Sequence, residues 1–218
     1  MKRTVKRRRD FYQYNCRISI KKNTKSTGMA GSDKLDAGLQ KIINQALNGI
    51  LDTDREDNAP VTSEDMEELT SLVIDSGDDV ENLDGLRYAV NLTSLSVYGD
   101  IAGLEEIGYL EKLESLFVNQ NSGLETLSVF GDKPALEVLD CSDNRKLSDI
   151  SALSNNVYPA LKEVDLESCS EITDITPLEG YSGLDYLNLE KITAPDWMRA
   201  GILWNGLLTG KRREQNPG

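Results

Sequence analysis

A chain of 218 residues with a formal net charge of −13 has room for one large domain or two small ones, and its acidity opposes nucleic-acid binding by the body of the protein. It contains no histidine, which excludes Ser-His and Cys-His nucleophile systems and histidine metal ligands. No run of 18 apolar residues supplies a membrane span, and three cysteines make no disulfide framework.

The charge is unevenly divided. Residues 1–28 hold ten Lys/Arg and one Asp, a balance of +9, which leaves −22 for the rest. Residues 1–31 are basic and poor in aliphatics, and read as a disordered tail. MKRTVKRRR has the charges of a signal peptide, but DFYQYNCRISIKKNTK follows where an apolar segment would stand. Two readings of residues 1–28 stay open: an electrostatic arm for nucleic acid or anionic lipid, or an in-frame extension upstream of Met29.

Residues 32–68 are expected to form a helical N-terminal cap. Leu35, Leu39, Ile42, Ile43, Ala46, Leu47 and Ile50 follow helical spacing, with Ser32 and Asp33 as candidate N-caps. The loop DTDREDNAP (52–60) turns the chain, and Thr62 and Asp65 fit a capping box for a helix over 63–69. Asp52, Asp54, Glu56 and Asn58 alternate as in a calcium loop. Position six is Asp57 rather than glycine, however, and position twelve is Ser63 rather than a bidentate glutamate. Residues 52–64 therefore read as a solvated turn, and no metal or cofactor is expected.

From Leu69 to Thr193 one pattern returns six times. Its core is L-x-x-L-x-L: Leu69/Leu72/Ile74, Leu92/Leu95/Val97, Leu113/Leu116/Val118, Leu136/Leu139/Cys141, Leu161/Val164/Leu166 and Leu184/Leu187/Leu189. The spacing of 21–25 residues and a second apolar set after most triplets define leucine-rich repeats. One repeat buries about six apolar side chains at roughly 2 kcal/mol each. Ordering about 23 residues costs roughly 1–2 kcal/mol apiece, so only a stack with a shared core folds. The expected architecture is an α/β solenoid with a parallel concave β-sheet. Cys141 and Cys169 fall at buried repeat positions, and Cys16 lies in the tail.

Repeats two, three and six are irregular, and GDKPA (131–135) is expected to bulge the convex side. After Ile192 the pattern stops. Thr193-Ala-Pro-Asp opens a predicted C-terminal cap helix over 194–210, with Trp197 and Trp204 among its apolar residues. The rival reading of that helix is one that docks on a partner or a membrane surface. Residues 211–218 are a frayed tail.

The cap helix, VTSEDMEELTSL (61–72), NLDGLRYAVNLTSL (82–95), LSDISAL (147–153) and ITDITPL (172–178) resemble a bacterial internalin-type leucine-rich repeat domain over about 33–193. The resemblance implies a helical N-cap, a curved solenoid, protein recognition on the concave sheet, and a secreted or surface-attached location. The sequence itself, with no signal peptide or wall anchor, points to the cytoplasm, so the compartment stays open.

Side chains at the third and fifth positions of L-x-x-L-x-L point away from the core. Tyr98, Phe117 and Val138 form an apolar-aromatic zone expected to be exposed at mid-sheet. Asp140, Glu163, Asp165, Glu167 and Glu190, with Tyr186, form an acidic zone toward the C-terminal side. Aromatic anchors beside charge suit a non-catalytic interface, here for a protein partner with a basic surface, engaged by a monomer. The enzymatic alternative is a carboxylate glycosidase using Asp140 and Asp165 on adjacent strands. An open, solvated sheet is expected to raise neither pKa.

Overall fold

The six triplets become six short strands: β1 Ser71–Ile74, β2 Ser94–Tyr98, β3 Ser115–Asn119, β4 Val138–Asp140, β5 Glu163–Asp165 and β6 Tyr186–Asn188. This is a computed structural model that describes residues 35–193 apart from 155, 156, 180 and 182. The basic tail and the predicted C-terminal cap at 194–210 lie outside the described residues. The strands pair in parallel and in chain order, forming one sheet. Register follows the triplets, with Leu72 opposite Leu95, then Leu116, Leu139, Val164 and Leu187 in turn. Single-residue alternation therefore sends one leucine row inward on every strand.

The inward row is buried from Leu72 through Leu166. The second apolar set closes the core from the other side, carried in part by 3₁₀ segments at Leu86–Tyr88, Leu104–Tyr109, Leu127–Phe130 and Thr176–Leu178. Leu187 and Leu189 of the sixth triplet are only half-buried. Among the described residues no seventh strand covers them.

Buried polar side chains tie repeats two to five to one another. Asn144 donates through Nδ2 to the carbonyls of Val118 and Cys141, both at 2.7 Å, while its Oδ1 accepts from Asn121 N–H at 2.8 Å. Asn121 donates in turn to the Ile101 carbonyl at 2.7 Å, and Cys169 Sγ to the Cys141 carbonyl at 3.1 Å. Burial pushes both thiols up, Cys169 to about 12. They serve the stack as small inert groups.

At the N-terminal end, α1 (Ala37–Leu51) packs Leu39, Ile43 and Leu47 into the core. Its N-cap is Asp36, whose side chain accepts from Leu39 N–H, and not Ser32 or Asp33. Gly38 lets the helix approach the first repeat, since a Cβ there would lie 2.4 Å from the Asp79 carbonyl oxygen. α2 (Ser63–Glu67) carries the reciprocal Thr62–Asp65 capping box and ends two residues before the expected end. Arg55 organises the intervening loop, holding Asp65 through both guanidinium nitrogens and Asn44 through Nε at 2.8 Å. Asn44, fully buried in α1, donates to the carbonyls of Asp57 and Ala59. Among the described residues no group of three or more side chains could hold a metal ion, and no helix is long and apolar enough to cross a membrane.

Two ionic features escaped the hydrophobic pattern. In the 131–135 segment, where a bulge is expected, Lys133 is completely buried, and its ammonium donates to the carbonyls of Gly108, Phe130 and Asp132. Burial lowers its pKa to about 8. Glu106 is 2% exposed and accepts from the N–H groups of Gly85 and Arg87 and from the Arg87 guanidinium, which also lies 4.6 Å over the Tyr109 ring. Burial acts to raise this carboxyl, and the Arg87 and Gly85 interactions outweigh it, so its pKa is lowered.

Leu139, 1% exposed, sits between Leu116 and Val164 in the middle of the shared core. Leu139→Asp should unfold the whole array rather than one repeat. An unpaired buried carboxylate costs several kcal/mol, on the order of a domain's entire 5–15 kcal/mol stability. A circular-dichroism melt within a few degrees of wild type would show that the side chain does not face the core.

Candidate functional site

The outward fifth positions form one continuous row across the sheet: Val73, Ser96, Phe117, Asp140, Asp165 and Asn188, each in register with the next. Beside it runs the third-position row of Ser71, Ser94, Ser115, Val138, Glu163 and Tyr186. The strands thus bring Phe117, Val138, Asp140, Glu163, Asp165 and Tyr186 onto one face. Tyr98 ends β2 opposite Asn119, and Glu167 and Glu190 follow β5 and β6.

Exposure differs from the expected pattern. Tyr98, Phe117 and Val138 are half-buried rather than exposed, whereas Val73 at 51% is the open apolar residue of the row. Phe117 stands between Ser96 and Asp140 at strand spacing, and row neighbours at that distance cover the flanks of a ring. Sequence alternation gives the direction of a side chain but not how far its neighbours cover it.

The acidic side of the face is held by hydrogen bonds. Asp140 Oδ1 accepts from Asn119 Nδ2 at 2.7 Å and from Ser142 N–H at 3.0 Å. Asp165 Oδ1 accepts from Glu167 N–H at 2.9 Å, and its Oδ2 accepts from the Tyr186 hydroxyl and Asn188 Nδ2, each at 3.2 Å. Asn188 Oδ1 repeats the motif on Glu190 N–H at 3.0 Å. Glu167 receives Lys191 Nζ at 2.6 Å, and that hydrogen bond and charge lower its pKa.

The three fifth-position bonds share one geometry, a side-chain oxygen closing a turn on the N–H two residues later. Three residues past Asp140, Asp165 and Asn188 stand Asp143, Ser168 and Lys191, all with φ of 62–63°. Asp or Asn at the fifth position thus has a structural task. Repeat three makes the same left-handed excursion at Gln120, φ 60°, yet its fifth position is Phe117, which has no oxygen to offer. Repeat three thus makes that excursion without the side-chain oxygen that Asp140, Asp165 and Asn188 supply in the next three repeats.

Asp140 and Asp165 lie directly opposite each other, as the glycosidase alternative requires. Contrary to the expectation for an open sheet, the Asp165 pKa is raised, by burial first and by the charge of Asp140 as well. The Glu167, Asn188 and Tyr186 donors work against that rise and already occupy both of its oxygens. A cavity of about 490 Å³ lies off the strand ends, beside Gln120, Ser122, Asp143, Arg145 and Lys146, and not over the carboxylate pair.

A family model described as leucine-rich repeats in two copies matches residues 134–180. No curated protein matches the chain. Among solved structures, an internalin (inlF) from Listeria monocytogenes is 26% identical with a TM-score of 0.64, over 78% of this chain and 47% of that one. An internalin C2 (inlC2) from the same organism is 15% identical with a TM-score of 0.37, over 78% and 91% of the two chains. The functional domain of InlJ, also from Listeria monocytogenes, is 17% identical with a TM-score of 0.34, over 71% and 40%. The chain has the leucine-rich repeat fold, is similar to a bacterial internalin over 78% of its length, and spans about half the length of that inlF structure.

The raised pKa of Asp165 has a testable sign. The native state holds this proton more tightly than the unfolded chain, whose aspartates titrate near about 3.9. Ionisation of Asp165 therefore subtracts stability as pH rises from about 4 through the folded pKa. Asp165→Asn removes that titration and keeps an acceptor for Glu167 N–H. The melting temperature of the variant should gain on wild type between pH 4 and pH 7, whereas a constant gap would contradict burial of this carboxyl.

Proposed function

We propose that the chain is a non-catalytic protein-binding module whose open sheet face receives a partner with a basic surface beside an apolar anchor. The observation that carries this is Phe117. It occupies a row position where three of the next repeats place a turn-closing Asp or Asn, and Val73, Tyr98 and Val138 lie on the same side of the sheet. An aromatic beside apolar side chains on an open sheet face suits contact with another molecule. The adjoining Asp140, Glu163, Asp165, Glu167, Tyr186 and Glu190 supply steering and register for a basic surface. Hydrogen bonds fix Asp140, Asp165, Tyr186 and Glu167 before binding, so little freedom of these side chains is lost on association. The internalin-type fold supports protein interaction in general, and the choice of face rests on these residues.

The test is affinity capture with the full chain as bait, followed by binding measurements on the captured partner. Tyr98→Ala with Phe117→Ala should lower the melt by only a few degrees, since both rings are half-buried outside the core, and weaken binding by roughly 2–4 kcal/mol, the scale of aromatic hot spots. Asp165→Lys with Glu167→Lys should mainly slow association and reduce its salt dependence. Unchanged affinity in the alanine pair, or binding that instead depends on Trp197 and Trp204, would contradict the proposal.

A further inference from the structure

The chain carries a segment whose chemistry matches this face. Residues 1–28 hold ten Lys/Arg against one Asp, and Phe11, Tyr12 and Tyr14 lie between the basic runs at 2–9 and 17–25. On the folded body, the strands and turns of β4–β6 gather Asp140, Glu163, Asp165, Glu167 and Glu190 beside Phe117 and Val138. Glu167 already accepts from Lys191 Nζ at 2.6 Å, with Glu190 4.0 Å from the same ammonium, so ammonium pairing at this site has a precedent within the fold. We infer that residues 1–28 bind across the open face of β4–β6, as an intramolecular occupant that a protein partner must displace. The inference rests on the reading of that face as a binding surface.

Geometry permits the contact. Leu35 leads into α1, which packs at the β1 end of the sheet, and β4–β6 lie three to five strands further along. At the spacing of paired strands that is about 15–25 Å. The seven residues from 28 to 35 span up to about 25 Å when extended, so the whole basic segment is within reach. Single surface ion pairs are weak. Tethering raises the local concentration of the segment to about the millimolar range, so even a 100 µM intrinsic affinity gives roughly nine-tenths occupancy. The acidic face would then be shielded at rest, and a partner would have to be more basic, or better matched to Phe117, than the chain's own segment.

Zero-length carbodiimide crosslinking of the full chain, read by mass spectrometry, tests this directly. Crosslinks are expected from Lys2, Lys6, Lys21, Lys22 or Lys25 to Glu163, Asp165, Glu167 or Glu190, with a yield independent of protein concentration. Raising salt from 0.05 to 0.5 M should cut that yield at least tenfold. The Lys162–Glu137 pair, at 2.6 Å within the fold, serves as the internal control. The triple variant Arg7→Glu, Arg8→Glu, Arg9→Glu, checked by a melt against wild type, should lower the yield at least fivefold. Crosslinks spread over the acids of 52–57 as readily as over β4–β6 would overturn the inference, as would an unchanged yield in the triple variant. A yield that rises with protein concentration would also overturn it, since the contact would then join two copies. If these crosslinks are absent while the Tyr98/Phe117 alanine pair still loses its partner, the face remains a binding surface and only the intramolecular occupant is refuted.

Discussion

The constraint on which the stack depends is the exit from each strand. Within a few residues the chain must leave the sheet, turn, and keep its carbonyls satisfied in the core. Repeats three to six do so with a non-glycine residue in the left-handed region, Gln120, Asp143, Ser168 or Lys191, a conformation that costs such residues about 1–2 kcal/mol. Such strain persists where the surroundings over-determine it. Here the surroundings are the buried Asn121 and Asn144 and the thiol of Cys169, whose bonds run to carbonyls in their own and the preceding repeat. Repeat two turns more tightly, with Ile101 four residues after Val97, and uses Gly99 at φ 108° to do it.

That constraint reaches the outer face. Asp140, Asp165 and Asn188 close the same turns from the solvent side, so the outward acids are held by the backbone they help to fold. Rigidity and negative charge are one feature, because the side chains that fix the turns also set the potential of the surface. Asp165 shows the strain in this arrangement. It is partly buried opposite Asp140, its carboxyl is pushed up, and three donors offset that push. A cationic group arriving at the face would relieve the repulsion between the two carboxylates, which gives a basic partner an electrostatic advantage before any apolar contact forms.

Much of this was legible in the sequence because it is periodic. The triplets gave the strands, their order and their register, since equivalent positions in successive repeats can pair in only one way that keeps Leu72, Leu95 and Leu116 inward together. The Thr62–Asp65 box was legible for the same reason, being a local pattern with a local mechanism. What escaped was non-periodic or depended on neighbours. Lys133 and Glu106 are charged, so hydrophobic spacing gives no signal of their burial, yet Lys133 is buried where its charge meets the carbonyls of Gly108, Phe130 and Asp132, and Glu106 where it meets Arg87 of the preceding repeat. Asn121 and Asn144 had a readable signal, each standing three residues after the last member of its triplet, as Cys169 does. The half-burial of Phe117 and the raised pKa of Asp165 arise from row neighbours and hydrogen bonds that only the folded sheet brings together.

The most direct measurement of the claim that the buried ladder holds the outer face is hydrogen exchange and thermal melting of Asn144→Ala. The substitution leaves the Val118 and Cys141 carbonyls and the Asn121 N–H without their buried partner. Each orphaned group costs about 1–3 kcal/mol. At about 2–4 °C per kcal/mol, the melt should fall by roughly 10 °C or more. Amide exchange should rise together at 118–121 and 141–144, on both sides of the lost contact, and extend to the backbone N–H groups of Ser142 and Glu167 that bond the outward acids. A wild-type melt, or faster exchange confined to 144 and its immediate neighbours, would show that the sheet holds the acidic face without the ladder.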